Sequence, residues 1–126
     1  MANIIANHSN NLTGSIDVAG DKSISHRSII LGALSIGETT VEGLLESQDI
    51  LATVSAMRAF GAEIEKKTED KWHIHGLGVG GLDEPDRVLD LGNSGTGVRL
   101  LLGVAASNPI TAFFSGDESL SRRPMA

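Results

Sequence analysis

Three short stretches combine basic side chains with glycine and small hydroxyl residues, the mixture that holds a phosphate or a carboxylate. Residues 20–27, GDKSISHR, put Lys22 and Ser23 at the expected start of a helix, with Arg27 about one turn on. The free N–H groups and the dipole of a helix start favour an anion there. Residues 91–99, LGNSGTGVR, open a second helix in the same way: glycines let a ligand approach the backbone, Asn93 and Thr96 add polar groups, and Arg99 follows one turn in. In residues 121–124, SRRP, Arg122 and Arg123 offer guanidinium forks matched to carboxylate or phosphate, before a proline suited to the first turn of a helix. Taken singly, each stretch is equally a capped helix start or a solvated basic pair. Two such junctions in one short chain favour anion binding.

Other patterns carry less. Gly76, Gly78 and Gly81 match a dinucleotide-binding glycine spacing, but LDEPDR follows instead of a helix, so they read as a turn. Residues 20–23 resemble the end of a P-loop, but Asp21 separates glycine from lysine, which argues against nucleoside triphosphates. His73 and His75 would share one face of a strand as half a metal site, yet no third ligand is evident nearby, so no metal is expected. His26 lies among the anion-gripping residues, with assistance, packing and capping all open to it. Glu46 and Asp49 are read as helix-start residues.

Composition sets the frame for these residues. The chain has 126 residues, enough for one core, and 40% of them are hydrophobic. A formal charge of -6 opposes nucleic acid and anionic membranes as partners. The absence of cysteine excludes disulfides and thiolate chemistry and fits a reducing cytoplasm. No apolar run approaches the roughly 20 residues of a membrane helix, and the first residues lack a secretory pattern.

The expected elements position the three stretches at turn-to-element junctions. Residues 4–18 read as two short strands, followed by an amphipathic helix from near Ser23 that stops before Gly37, and a strand through Thr39–Val41. A helix with Asp49 as cap runs to Gly61. A hairpin follows, residues 62–66 and 71–75 around Glu69 and Asp70, then a strand at residues 88–91. A second pass gives a helix at 95–106, a strand at 110–114 and a polar turn into Arg122. Arg27 and Arg99, Ala33 and Ala105, Ser35 and Ser107, and Thr39 and Thr111 are each 72 positions apart, which suggests an internal duplication with an incomplete second copy.

Together, GDKSISHR, LGNSGTGVR and SLSRRPM, in this order and at these separations, resemble the N-terminal part of the EPSP synthase (5-enolpyruvylshikimate-3-phosphate synthase) family, over nearly the whole chain. The resemblance implies an α/β (mixed α+β) fold of βαβαββ repeat units. One complete unit would occupy residues 19–91 and a truncated second unit residues 92–126, with residues 1–18 a strand segment associated with the other domain. It implies transfer of the enolpyruvyl group of phosphoenolpyruvate to shikimate 3-phosphate, in aromatic amino-acid biosynthesis in the cytoplasm, without metal or organic cofactor. Lys22, Ser23 and Arg27 would bind shikimate 3-phosphate. Lys22, Asn93, Gly95 and Arg123 would bind phosphoenolpyruvate, with Thr96 and Arg99 in support, and glyphosate would compete at Gly95. Leu100 departs from the proline that many members carry after the arginine. The family's general acid and base, two carboxylates and a lysine, lie later in a longer chain. Apart from assistance from Lys22, catalysis would therefore need the C-terminal part of the same enzyme. Ser23 and the lack of cysteine separate the chain from the related UDP-N-acetylglucosamine enolpyruvyl transferases. An autonomous anion-binding module without catalysis is the reading from a different class.

Overall fold

The structure is a computed structural model that describes residues 3–125. Helix α1 (Lys22–Leu34) starts where the Asp21 carboxylate accepts from the Ile24 N–H at 2.8 Å, and ends at Ser35 in an extended conformation. The cap is thus Asp21, which also accounts for the residue that spoils the P-loop pattern. Ile29, Ile30 and Ala33 form the buried face of α1.

Strand β1 (Ile36–Glu42) is followed by α2 (Gln48–Ala59), whose buried Ile50, Val54 and Met57 sit at helical spacing. Gly61, at φ 99°, turns the chain out of α2 as expected. The expected start of α2 needs correction. Ser47 is the flanking cap residue, Asp49 lies inside the first turn, and Glu46 is outside the helix. The Glu46 carboxylate instead accepts from Trp72 Nε1 at 3.1 Å and pairs with Lys66 at 2.7 Å. The Lys66 ammonium and then the Trp72 N–H hold its pKa below the ordinary carboxylate value.

The hairpin forms as expected from β2 (Glu63–Lys66) and β3 (Lys71–Leu77), and β1 adds antiparallel to the other edge of β3, giving the order β1-β3-β2. The two-residue period sends Ile64, Trp72 and Ile74 into the core. The opposite face sets Glu38 and Glu63 across from His75, and Glu65 across from His73. Helix α1 approaches β3 through two glycines: a Cβ on Gly76 would overlap the carbonyl oxygens of Ser35 and Gly32, and one on Gly32 would lie 3.0 Å from Ile74 Cδ1. Gly76, one of the three glycines in the dinucleotide-like spacing, is therefore a packing residue.

The second pass is a parallel β-α-β crossover. Strand β4 (Leu89–Asp90) pairs with β5 (Phe114–Ser115), and α3 (Gly95–Ala106), with the bounds the sequence suggests, connects them. Val98, Leu101 and Val104 of α3 join the same core as α1 and α2. Helix α4 (Glu118–Ser121), capped by Asp117, stands where a polar turn was expected. Pro124 follows this helix and opens none.

Two expected strand regions are absent or shortened. Residues 3–20 form no strand, and Ile4, Leu12, Ile16 and Val18 are 81–96% exposed. A strand needs a neighbour for its N–H and C=O groups, and among the described residues that segment has none. Residues 110–113 are likewise outside β5, because the Thr111 N–H is taken by Glu84 Oε2 at 2.7 Å. The 72-residue spacing has matching placements in the helices: Ser35 and Ser107 both flank helix ends, and Arg27 and Arg99 each donate to the carbonyl four residues back, at 3.0 and 3.1 Å. It fails at Thr39 and Thr111, since only Thr39 is in a strand.

Gly76→Ala should destabilise the fold by about 1–3 kcal/mol, the usual cost of overpacking. Gly103→Ala, in α3 with open space around the added methyl, should be neutral or stabilising by up to ~1 kcal/mol. Urea unfolding of both variants checks the contrast. Equal midpoints would refute the α1–β3 contact.

Candidate functional site

At the start of α1, Lys22, Ser23 and Arg27 are all exposed on one end of the helix. Because Asp21 supplies the cap, the Ser23 hydroxyl is not used for capping. Arg27 NH1 reaches back to the Ser23 carbonyl at 3.0 Å, which keeps the guanidinium beside the serine. Lys22 forms an ion pair with Asp49 of α2, and its side chain remains 51% exposed. Such an exposed pair contributes roughly 0–1 kcal/mol, so an incoming dianion can displace the carboxylate.

At the start of α3, Ser94 caps the helix through Gly97 N–H at 3.1 Å, and the preceding turn presents Asn93. Arg123 NH2 donates to Asn93 Oδ1 at 3.0 Å and to Ser119 Oγ at 3.1 Å. Arg99 spans the Gly95 carbonyl at 3.1 Å and the Pro124 carbonyl at 3.0 Å. A Cβ on Gly95 would lie 2.6 Å from Arg123 NH1 and 3.1 Å from Arg99 NH1, so two guanidinium groups converge on this glycine. Thr96 is exposed in the first turn and makes no side-chain hydrogen bond among the described residues. Arg122 points elsewhere and pairs with Glu118 on the surface.

Asp117 is the site residue that sequence reasoning missed. Its two carboxylate oxygens accept from Leu120 N and from Asn93 Nδ2, both at 2.7 Å, so one side chain caps α4 and orients Asn93. These two bonds, the backbone N–H first, hold its pKa below the ordinary aspartate value. An aspartate just before Glu118 and Ser119 was the available signal, a helix-cap pattern. Its link to Asn93, 24 positions away, left no local trace.

The two basic groups belong to one end of the molecule. His26 of α1 is completely buried, and its Nδ1 lies 2.9 Å from Thr53 Oγ1 of α2. A Cβ on Gly97 of α3 would lie 3.1 Å from the same Thr53 oxygen. The second turn of α1, at His26, and the first turn of α3, at Gly97, therefore meet at Thr53. His73 and His75 lie outside this region. Both contact Glu38 across the strands, at 3.1 and 3.2 Å. Among the described residues no group of three His, Asp or Glu side chains is placed to hold a metal ion, and no helix is long and apolar enough to cross a membrane.

Fold and site define a mixed α/β unit in which α1 and α3, whose starts carry basic side chains, both reach the buried Thr53. The family model for EPSP synthase (3-phosphoshikimate 1-carboxyvinyltransferase) matches residues 6–126, and the chain belongs to that family. It is 62% identical over 120 residues to the 3-phosphoshikimate 1-carboxyvinyltransferase of Paracoccus denitrificans, covering 95% of this chain and 27% of that protein. With the enzyme of the same name from Novosphingobium aromaticivorans it shares 63% over 114 residues, covering 90% and 26%. The solved EPSP synthase of Acinetobacter baumannii superposes with a TM-score of 0.84 at 47% identity, over 89% of this chain and 25% of that one. The chain thus spans about a quarter of the length of the relatives it matches.

Two outcomes test the site's geometry. Gly95→Ala should displace the Arg123 guanidinium while leaving the fold intact, because the added methyl meets the free end of a flexible side chain. A crystal structure of the variant, or loss of the Arg123–Asn93 contact by NMR, checks it. Burial first, and then the Lys22 charge, lower the pKa of His26 below its ordinary 6.5, so the folded state binds a proton there less readily than the unfolded chain. Its contribution to stability is complete above 6.5 and is lost as the pH falls from there towards the folded-state value. Unfolding midpoints measured through that interval should decline less in His26→Asn than in the unaltered chain.

Proposed function

We propose that the chain is the substrate-binding N-terminal part of a 3-phosphoshikimate 1-carboxyvinyltransferase, which moves the enolpyruvyl group of phosphoenolpyruvate onto the 5-hydroxyl of shikimate 3-phosphate. The observation that carries this reading is that α1 and α3, whose starts carry basic side chains, both reach the buried Thr53. Two anionic substrates repel each other, and the reaction needs them adjacent. At an effective dielectric constant of 20, two unit charges 4 Å apart interact by about 4 kcal/mol, which fixed cations must offset.

In this reading Lys22, Ser23 and Arg27 grip shikimate 3-phosphate. Lys22 exchanges Asp49 for substrate and serves both ligands. Asn93, Gly95 and Arg123 hold phosphoenolpyruvate, Arg99 and Thr96 support the loop, and Asp117 sets the amide of Asn93. Gly95 leaves the space that glyphosate would use. Residues 19–91 and 92–126 act as one repeat unit and part of the next, and residues 1–18 pair with the other domain. The general acid and base come from the C-terminal part of the enzyme, so the chain alone binds weakly at most and does not turn over. Cytoplasmic aromatic amino-acid biosynthesis is the setting, with no metal or organic cofactor.

Titration of the chain with shikimate 3-phosphate should give saturable amide shifts at Lys22, Ser23 and Arg27; a well-dispersed spectrum without them counts against the assignment. In the enzyme joined to its C-terminal part, Arg123→Lys should lower kcat/KM for phosphoenolpyruvate on the order of 100-fold, ~2.7 kcal/mol, by removing the guanidinium fork. The KM for shikimate 3-phosphate should stay within about threefold.

A further inference from the structure

His26 is the one fully buried histidine of the chain among the described residues, and its Nε2 has no hydrogen-bond partner. Its Nδ1 contacts Thr53 Oγ1 at 2.9 Å, and the Thr53 hydroxyl itself donates to the Asp49 carbonyl at 3.3 Å. A hydroxyl has one proton, so with that proton committed to Asp49 the oxygen can only accept from His26. With the hydroxyl proton so placed, the imidazole carries its own proton on Nδ1. The bare Nε2 supports the same assignment independently, since a buried acceptor without a partner costs less than a buried N–H without one.

We infer that His26, as the neutral Nδ1–H tautomer bonded to Thr53, is a positioning residue that sets the separation of the two anion-binding helix starts. Its bond ties the second turn of α1 to α2, and Gly97 seats the first turn of α3 on the same Thr53 oxygen. The charged groups acting on the ring are Lys22 and Arg27 from α1 and Asp49 from α2, while α3 presents Gly97 and Ser94 there. A proton added at Nε2 would create a buried donor with nothing to receive it, beside two cations. Burial also holds the ring neutral. The inference rests on the proposed two-substrate reading for its functional consequence, although the tautomer itself does not.

Two measurements separate these layers. Imidazole nitrogen NMR of the unaltered chain should show Nδ1 protonated and Nε2 bare at neutral pH. The opposite tautomer or an imidazolium overturns the inference whatever the chain binds. In the enzyme with its C-terminal part, His26→Asn, whose amide N–H mimics Nδ1–H, and Thr53→Ser should keep kcat within about threefold. His26→Gln, whose amide sits where Nε2 was, and Thr53→Val should lower kcat by roughly 10- to 100-fold with both KM values changed far less, as expected for misplaced reactants. The acid limb of the wild-type kcat profile should shrink in His26→Asn, because the phosphate of the substrate titrates equally in both enzymes. Equal kcat in the Asn and Gln variants, or an unchanged acid limb, refutes the positioning role. Absence of carboxyvinyl transfer by the unaltered enzyme refutes the proposed function alone, and the NMR result still decides the tautomer.

Discussion

The Thr53 hydroxyl lies in the dry space between three helices, bonded towards α1, donating back into α2, and packed against the first turn of α3. Buried polar groups in such a place are costly unless their bonds are made, and once made they define one arrangement in preference to its neighbours. The apolar core formed by Ile29, Ile50, Met57, Phe60 and Ile74 would tolerate small slips of one helix against another. The hydroxyl and imidazole do not, and the two basic helix starts inherit their spacing from that difference.

The charges of the chain act on two length scales. Its net charge of -6 disfavours anions at a distance. In the proposed site, contacts from Lys22, Arg27, Arg99 and Arg123 would outweigh that field, because they act across a few ångströms, where solvent screens least. The acidic partners are themselves part of the site: Asp49 keeps Lys22 extended towards α2, and Asp117 fixes which way the Asn93 amide faces. The guanidinium groups are held mainly by neutral oxygens, the carbonyls of Ser23, Gly95 and Pro124 and the side chains of Asn93 and Ser119, which leaves their charge available.

What the sequence made legible follows from the range of each interaction. Helix α3 has the bounds that its glycine-rich start and apolar spacing suggest, and the β2–β3 hairpin stands where alternating residues flank Glu69 and Asp70. The helix starts that carry Lys22, Ser23 and Arg99 were legible because capping residues and glycines mark them locally, whereas Arg123 follows α4 and opens no helix among the described residues. The carboxylate partners were not legible, since Lys22–Asp49 and Asn93–Asp117 are tertiary pairs between residues far apart in the chain. Residues 3–20 show the same limit from the other side: their apolar pattern suits strands, but pairing is a property of two segments and is not written in either one alone.

The glycine contact between α1 and β3 gives the first helix the mechanics of a lever. Gly32 and Gly76 bring backbone against backbone near its C-terminal end, so that end is the fulcrum and Lys22 is at the tip. Ten residues of helix make an arm of about 15 Å, along which a tilt of only about four degrees moves the tip by about 1 Å. A displacement of that size between reacting groups is enough to cost on the order of a hundredfold in rate. The stiffness of a contact remote from the substrates, between two residues without side chains, therefore limits how accurately the lysine can be aimed.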